Sequence, residues 1–561
     1  KHLTNLSLSL FPNNVLVEDE NLKITWTSSN PSLLITEDVN NLERTYIATT
    51  GDNKLEYLDS TREYIEVVVS YYGTTLTARC VVDIINPIRA QGIIVTADGK
   101  ATDEIYFDSR KGLSVYNGEI NANGVRPIQI TGTVYPENTA DKTVIIDGYD
   151  KSVVYVSPDG KVYPVGVGTT QIPVYAQDSI LYHGIGKLFD EKIITVTVAD
   201  GQTKQTAFQI NDEETLLSIK TDIKNGNNFY YYFANDVYLT HKISSFGEFA
   251  GHIDGRNHNI YNLKFANANN QYIFDSISGS IANLNLSADI DTIIDADAII
   301  SVLTKQNDGI IDGVAVTFSN FNIDNQNSNS KLTISGLVAT NNGTIKNSYV
   351  FADVLIKGVD CNAITIGMIA SVNNGRMYGN NNNYFYNNGS SQNFDVEGSI
   401  TTEISSTTSY VGGIVGINNN IVGSNNNASN LGRSFATNIV INTPNLSYIG
   451  GIAGKNIGEI ANALVYGNLH GKMVVGGIVG LNKTENITDE NGDEITKTGS
   501  VVTSIVELYK DPFAEDVYYN ITGQNCVGGL VAELSGGYIS NSYVYAYGEK
   551  SAVISEIMAG G

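Results

Sequence analysis

Asp289, Asp291, Asp295 and Asp297 are the residues whose spacing best suits chemistry, because odd positions of an extended strand point to one side. Carboxylates on one face would serve glycosidic cleavage, one as acid and another as base or nucleophile, at the separations that reaction demands. The same row on an outer strand also reads as a solvated surface that resists aggregation, and this plainer reading is the expectation. His252, Asp254, Arg256 and His258 form the one dense group of versatile side chains, suited to general acid–base work or a metal. Asp254-Gly255 followed by Asn257-His258 equally spells a tight turn between strands, so a structural role is expected there. His2, His183, His241 and His470 stand alone in sequence.

Other motifs fall short of a site. Asp489-Glu490-Asn491-Gly492-Asp493-Glu494 is rich in oxygen, but its Gly is fourth and no Glu follows at the twelfth place, so it departs from a calcium loop and reads as the tip of an inserted hairpin. Gly412-Gly413-x-x-Gly416 lacks the helix, the lysine and the downstream acid of a nucleotide site. Cys80, Cys361 and Cys526 lie far apart, which excludes a disulfide framework or a cysteine metal cluster and predicts each as a lone buried thiol. With 33 Tyr against one Trp, clusters such as Phe229-Tyr230-Tyr231-Tyr232-Phe233 and Tyr384-Phe385-Tyr386 would stack on sugars or a protein neighbour, or be half-buried strand residues. No catalytic, cofactor-binding or metal-binding residue is assigned, and no cofactor is expected.

The elements that must position these residues are repeats. Gly412-Gly413-Ile414-Val415-Gly416 returns as Gly450-Gly451-Ile452-Ala453-Gly454, Gly476-Gly477-Ile478-Val479-Gly480 and Gly528-Gly529-Leu530-Val531-Ala532, with looser copies at 336–339 and 367–370. A second phrase, Ile345-Lys346-Asn347, recurs as Ile460-Ala461-Asn462 and Ile539-Ser540-Asn541, with relatives at Ile260-Tyr261-Asn262 and Ile281-Ala282-Asn283. Turn residues such as Asn341-Asn342-Gly343 separate them, so each unit reads as two short strands and a turn. One such unit cannot bury its own apolar face; Ile414, Val415, Ile452, Ile478, Val479, Leu530 and Val531 must stack on equivalents about 4.8 Å away, as in a solenoid. Gly pairs would let the backbone turn where a side chain meets the next coil, and repeated Asn would either form an amide ladder or lie solvated in turns. The spacing runs from 26 residues (Gly451 to Gly477) to 52 (Gly477 to Gly529), so loops are inserted or a degenerate unit intervenes. Helix has little claim, because β-branched residues, Tyr, Gly and Asn dominate.

At 561 residues the chain exceeds one ordinary domain, and its net charge of −25 argues against nucleic acid or an anionic membrane surface as partner. No run reaches about 18 apolar residues and no basic-then-apolar leader opens the chain, so neither a membrane span nor a signal peptide is read within it. Lys1 is no initiator Met and Ile557-Met558-Ala559-Gly560-Gly561 stops where another glycine phrase would begin, so the chain reads as a window on a longer mature protein.

The first 200 residues alternate strand and turn signals every 8 to 12 residues, as in sandwiches. Val134-x-Pro136-Glu137-Asn138, Val154-x-Val156-Ser157-x-Asp159-Gly160-Lys161-Val162 and Val167-Gly168-Thr169-Thr170 resemble the bacterial immunoglobulin-like group 2 domain, and Ile24-Thr25-Trp26-Thr27-Ser28-Ser29-Asn30-Pro31-Ser32 is similar to that family's central strand. Residues 89–125 fit this pattern poorly and read as an extra hairpin. The glycine phrases from 336 onward resemble the GLUG repeat of bacterial surface proteins, and 246–260 looks like the segment that opens such right-handed β-helices. The expected class is all-β: Ig-like sandwiches at 1–86 and 87–200, joined near Asn86-Pro87, then a right-handed parallel β-helix at 201–561. The resemblance implies an extracellular bacterial surface or secreted protein serving adhesion or assembly without catalysis, its partners other copies, other surface proteins or glycans. The alternatives are a carbohydrate-active β-helix and a phage tail or virion fibre.

Overall fold

The computed structural model describes residues 4–6, 20–29, 33–36, 45–49, 60–85, 90–113, 115–116, 119–120, 125–139, 141–177, 191–379, 395–423, 435–488, 492–508, 519–546 and 552–555. They form two compact units, one of 1–105, 126–163 and 170–196, the other of 106–125, 164–169 and 197–561. The chain is all-β, as its composition of β-branched and aromatic residues requires.

In the first unit, Leu22–Ser28, Ser60–Tyr71 and Thr74–Ile85 make an antiparallel sheet, and Thr4–Leu6, Thr45–Thr49 and Leu33–Thr36 make another. Strict alternation buries Ile65, Val67 and Val69. The join expected at Asn86-Pro87 lies outside the described residues. Next, Val154–Val156, Lys161–Pro164, Ile128–Tyr135 and Gly92–Ala97 form one sheet, and Val144–Ile146, Gly168–Ala176, Lys192–Ala199 and Glu104–Asp108 another. They pack as a sandwich: a Cβ on Gly132 would stand 2.8 Å from Val144 of the opposite sheet. Among the described residues of 89–125, Val115–Tyr116 and Glu119–Ile120 form a separate antiparallel pair, whereas Gly92–Ala97 and Glu104–Asp108 are strands of these sheets.

The second unit is a parallel β-solenoid. One coil runs Ser280–Ala282, Asn285–Ile294, Ala298–Ile300, Thr304–Asn307, and the next begins at Ile310. A coil thus has four strands, or five from Glu459 on, where the second splits into Ala463–Tyr466 and Leu469–Gly471, not the two read from the repeated phrases, because the second and third strands carry no repeated phrase of their own. Stacked in register, the strands build four faces, here numbered in chain order, of 11, 13, 8 and 10 strands among the described residues, the last count including one antiparallel strand, Glu494–Thr498, of an inserted hairpin. On the fourth face Val415, Ala453, Val479 and Val531 are successive partners. Ile414, Val415, Ile452, Ile478 and Val479 are fully buried in one continuous core, with Leu530 and Val531 packed against it.

The repeated phrases are corners. Gly-Gly-Ile turns the third face into the fourth, and there the backbones of successive coils touch: a Cβ on Gly451 would lie 2.4 Å from the Gly477 carbonyl oxygen. Gly476 pairs directly with Gly528, so the 52-residue interval holds insertions and no degenerate coil. One insertion is the antiparallel hairpin of Val479–Thr488 with Glu494–Thr498. The Ile-x-Asn phrase turns the first face into the second at Asn283, Asn347, Asn462 and Asn541, with φ between 51° and 54°, the left-handed conformation Asn tolerates best after Gly, whereas its relative Asn262, at φ 64°, lies within the second-face strand Asn259–Leu263 where the register shifts. The Asn-x-Gly phrase turns the fourth face into the first. Its leading position repeats as Asn307, Asn341, Asn373, Asn418, Asn456 and Asn482, the fourth and the sixth without the Gly, all with no exposed surface. Each of the first five donates its Nδ2 to the Oδ1 of the next at 2.7–2.8 Å. The amide ladder therefore exists, and its members are buried.

Where the stack opens, the α-helix Glu213–Lys224 buries Leu216 and Ile219 in the core that the coils share. Asp212 caps it, accepting the Thr215 N–H at 2.9 Å.

Candidate functional site

Asp289 and Asp291 lie on the strand Asn285–Ile294 of the second face with their side chains outward, while Asp295 and Asp297 fall in the corner before Ala298. The row is therefore not one strand side, because the chain turns after the buried Ile294. Asp295 accepts the Asn269 amide at 2.9 Å and Asp297 the Lys331 N–H at 2.8 Å, so both fasten corners of adjacent coils. Asp289 takes the Lys264 ammonium at 2.9 Å and the Asn320 amide at 2.9 Å. Partial burial by itself would raise its carboxyl, but these two donors outweigh burial and hold it below the usual carboxylate range. A carboxyl so held stays ionised and cannot act as a general acid near neutrality.

A polar depression of about 280 Å³ opens beside this pair, lined chiefly by Lys242, Lys264, Gln271, Asp289, Asp291 and Asn320. Two features of the sheet create it. Pairing of the strand Asn285–Ile294 with Asn259–Leu263 stops at Ala288, whereas pairing with the following strand runs on to Ile294. The following strand also carries a β-bulge: Ala288 opposes Phe318 and Asp289 opposes Asn320, leaving Ser319 extra. Sequence reasoning found Asp289 and Asp291 but missed Lys264, Gln271 and Asn320, since neither an interrupted ladder nor a bulge has a periodic signature.

His252, Asp254, Arg256 and His258 occupy the turn from the strand His252–Asp254 to Asn259–Leu263, as their spacing suggested. They diverge instead of converging. The His252 ring stacks on Tyr230 at 4.3 Å and its Nδ1 meets Ser280 Oγ at 2.8 Å. Asp254 accepts the Asn283 amide, Arg256 lies 3.8 Å over the Tyr232 ring, and His258 Nδ1 is 3.0 Å from Asp236. The Asn259 N–H first, opposed by burial and helped by His258, holds the Asp236 carboxyl low. Among the described residues no three His, Cys, Asp or Glu side chains gather as a metal-binding group.

The hairpin expected around Asp489–Glu494 is present, although its tip residues 489–491 lie outside the described ones. Lys497 on its return strand donates to the Asn419 carbonyl at 2.6 Å, seating the hairpin on an earlier coil. Tyr231 and Phe233 are buried and Tyr230 and Tyr232 face outward; Tyr384, Phe385 and Tyr386 fall outside the described residues. Outward rings are stacked on one another, Tyr238 on Tyr261 at 4.7 Å and Tyr410 on Tyr448 at 5.5 Å, which takes up ring faces a sugar would need. Of the cysteines only Cys361 is buried; Cys80 and Cys526 are exposed, contrary to expectation. Cys80 sits on a strand whose residues Thr74–Val81 are all exposed, and Cys526 on the last strand of the third face.

No protein-family model matches the chain, and no curated protein matches it significantly. Solved structures that share a partial likeness include protocadherin gamma B2 extracellular cadherin domains 3–6, 12% identical with a TM-score of 0.14 over 34% of this chain and 48% of that one. Another is PcdhgB3 EC1-4, 9% identical with a TM-score of 0.13 over 33% and 46%. The chain thus spans about half of each, and superpositions so loose carry no argument. No helix among the described residues is long and apolar enough to cross a membrane.

Proposed function

We propose that this is a non-catalytic bacterial surface or secreted protein, extracellular, serving adhesion or structural assembly. Its divisions are Ig-like spacers at 1–86 and 87–200 and a GLUG-type right-handed β-helix at 201–561. Its partners are other copies, other surface proteins or glycans. The observation that supports this most is where the carboxylates go. Asp236, Asp254, Asp289, Asp295, Asp297 and Asp312 are each committed to a donor on a neighbouring coil or corner, as Asp312 is to Lys346 at 3.0 Å, so the acids fasten the stack. The charge of −25 keeps the surface soluble and disfavours nucleic acid.

The carbohydrate-active reading keeps one foothold, the depression at Asp289 and Asp291. The two are separated by coating beads with the chain and offering immobilised polysaccharides while assaying released reducing ends. Adherence without release is expected. Release of sugars that is abolished by Asp291→Asn would overturn the non-catalytic reading.

A further inference from the structure

We infer that the depression beside Asp289 is a binding site for one neutral saccharide ring of a glycan. This rests on the surface-protein reading above and names the chemistry one of its contacts would recognise. Three observations converge on the place. The parallel ladder is interrupted: beyond Ala288 the strand Asn285–Ile294 has a ladder partner on one side only. The bulge at Ser319 shifts the register so that Asn320 opposes Asp289, and its amide reaches that carboxylate. The remaining wall mixes donors and acceptors. Gln271 is 4% exposed and donates to the Ala268 carbonyl, and Thr292 hydroxyl donates to the same carbonyl at 3.3 Å.

Charge bookkeeping then selects the ligand class. Lys264 and Asp289 neutralise each other, leaving Lys242 and Asp291, both exposed and without an ion pair among the described residues. One unpaired ammonium and one unpaired carboxylate suit hydroxyls, which donate and accept at once, better than an anion or a cation. A volume of about 280 Å³ admits one ring, below the usual range for larger ligands. The wall is chiefly polar, which fits a polyol and not an apolar peptide side chain.

The test is saturation-transfer NMR on the full chain with methyl glycosides of glucose, galactose, mannose and N-acetylglucosamine. At least one should bind in the millimolar range, and Asp291→Ala and Lys242→Ala should each weaken it by roughly tenfold with the unfolding temperature unchanged. No transfer to any of the four, or transfer indifferent to both substitutions, would overturn the site. Bead adherence surviving such a failure would leave the adhesive reading intact. Cleavage of a bound glycan would uphold the site and overturn the non-catalytic reading.

Discussion

Asn373 sits midway along the buried amide row, donating to Asn418 and to the Ile421 carbonyl while accepting from Asn341. Asn373→Leu conserves bulk but leaves a donor on one side and an acceptor on the other unmatched in the core, so a loss of about 2–5 kcal/mol is expected in denaturant unfolding. A second residue-scale expectation concerns acid. Asp236, Asp289 and Glu485 (the last held chiefly by Lys455, at 2.6 Å) are lowered in the fold. Groups lowered in this way stabilise above their unfolded value near 4, and that contribution is lost as pH falls through their folded values. The unfolding temperature should therefore fall below about pH 4, and Asp236→Asn should be less stable at pH 7 yet lose less on acidification. A variant with the same acid slope as the parent would contradict this. At this scale the sequence announced Asn repetition but not its burial, because turn Asn and ladder Asn share one composition; the register Asn341↔Asn373↔Asn418 is what separates them.

Among the elements, the corners were the most legible. Gly-Gly-Ile and Ile-x-Asn recur because backbones approach too closely, or turn too sharply, for other residues, and such constraints leave a spelling. The second and third strands of each coil were not legible, since any alternating apolar strand satisfies them. Nor was the helix Glu213–Lys224, whose single occurrence escapes a search for repeats. Its cause is physical: among the described residues no coil precedes the first, and Leu216 and Ile219 cover core that a preceding coil would otherwise bury. Ile219→Ala should cost about 2–5 kcal/mol, read as an earlier transition in thermal unfolding. Asp212→Ala, which removes only the cap, should cost about 1 kcal/mol. Equal losses from the two would mean that the helix contributes propensity and not cover.

For the molecule as a whole, stability and display follow from one arrangement, in which each coil supplies the partner strands of the next. That arrangement orders outward side chains in columns, commits carboxylates to fastening, and leaves a gap beside Asp289 where the ladder is interrupted. Its most direct test is cysteine pairing across coils in a Cys80→Ser, Cys526→Ser background. Thr340 and Val372 are register partners facing outward on the fourth face, at the inter-strand spacing a disulfide accepts. Thr340→Cys with Val372→Cys should oxidise to an intramolecular crosslink, and Thr340→Cys with Ile417→Cys, one coil further on, should not. Crosslinking of the distant pair, or failure of the adjacent one, would contradict the stacked register.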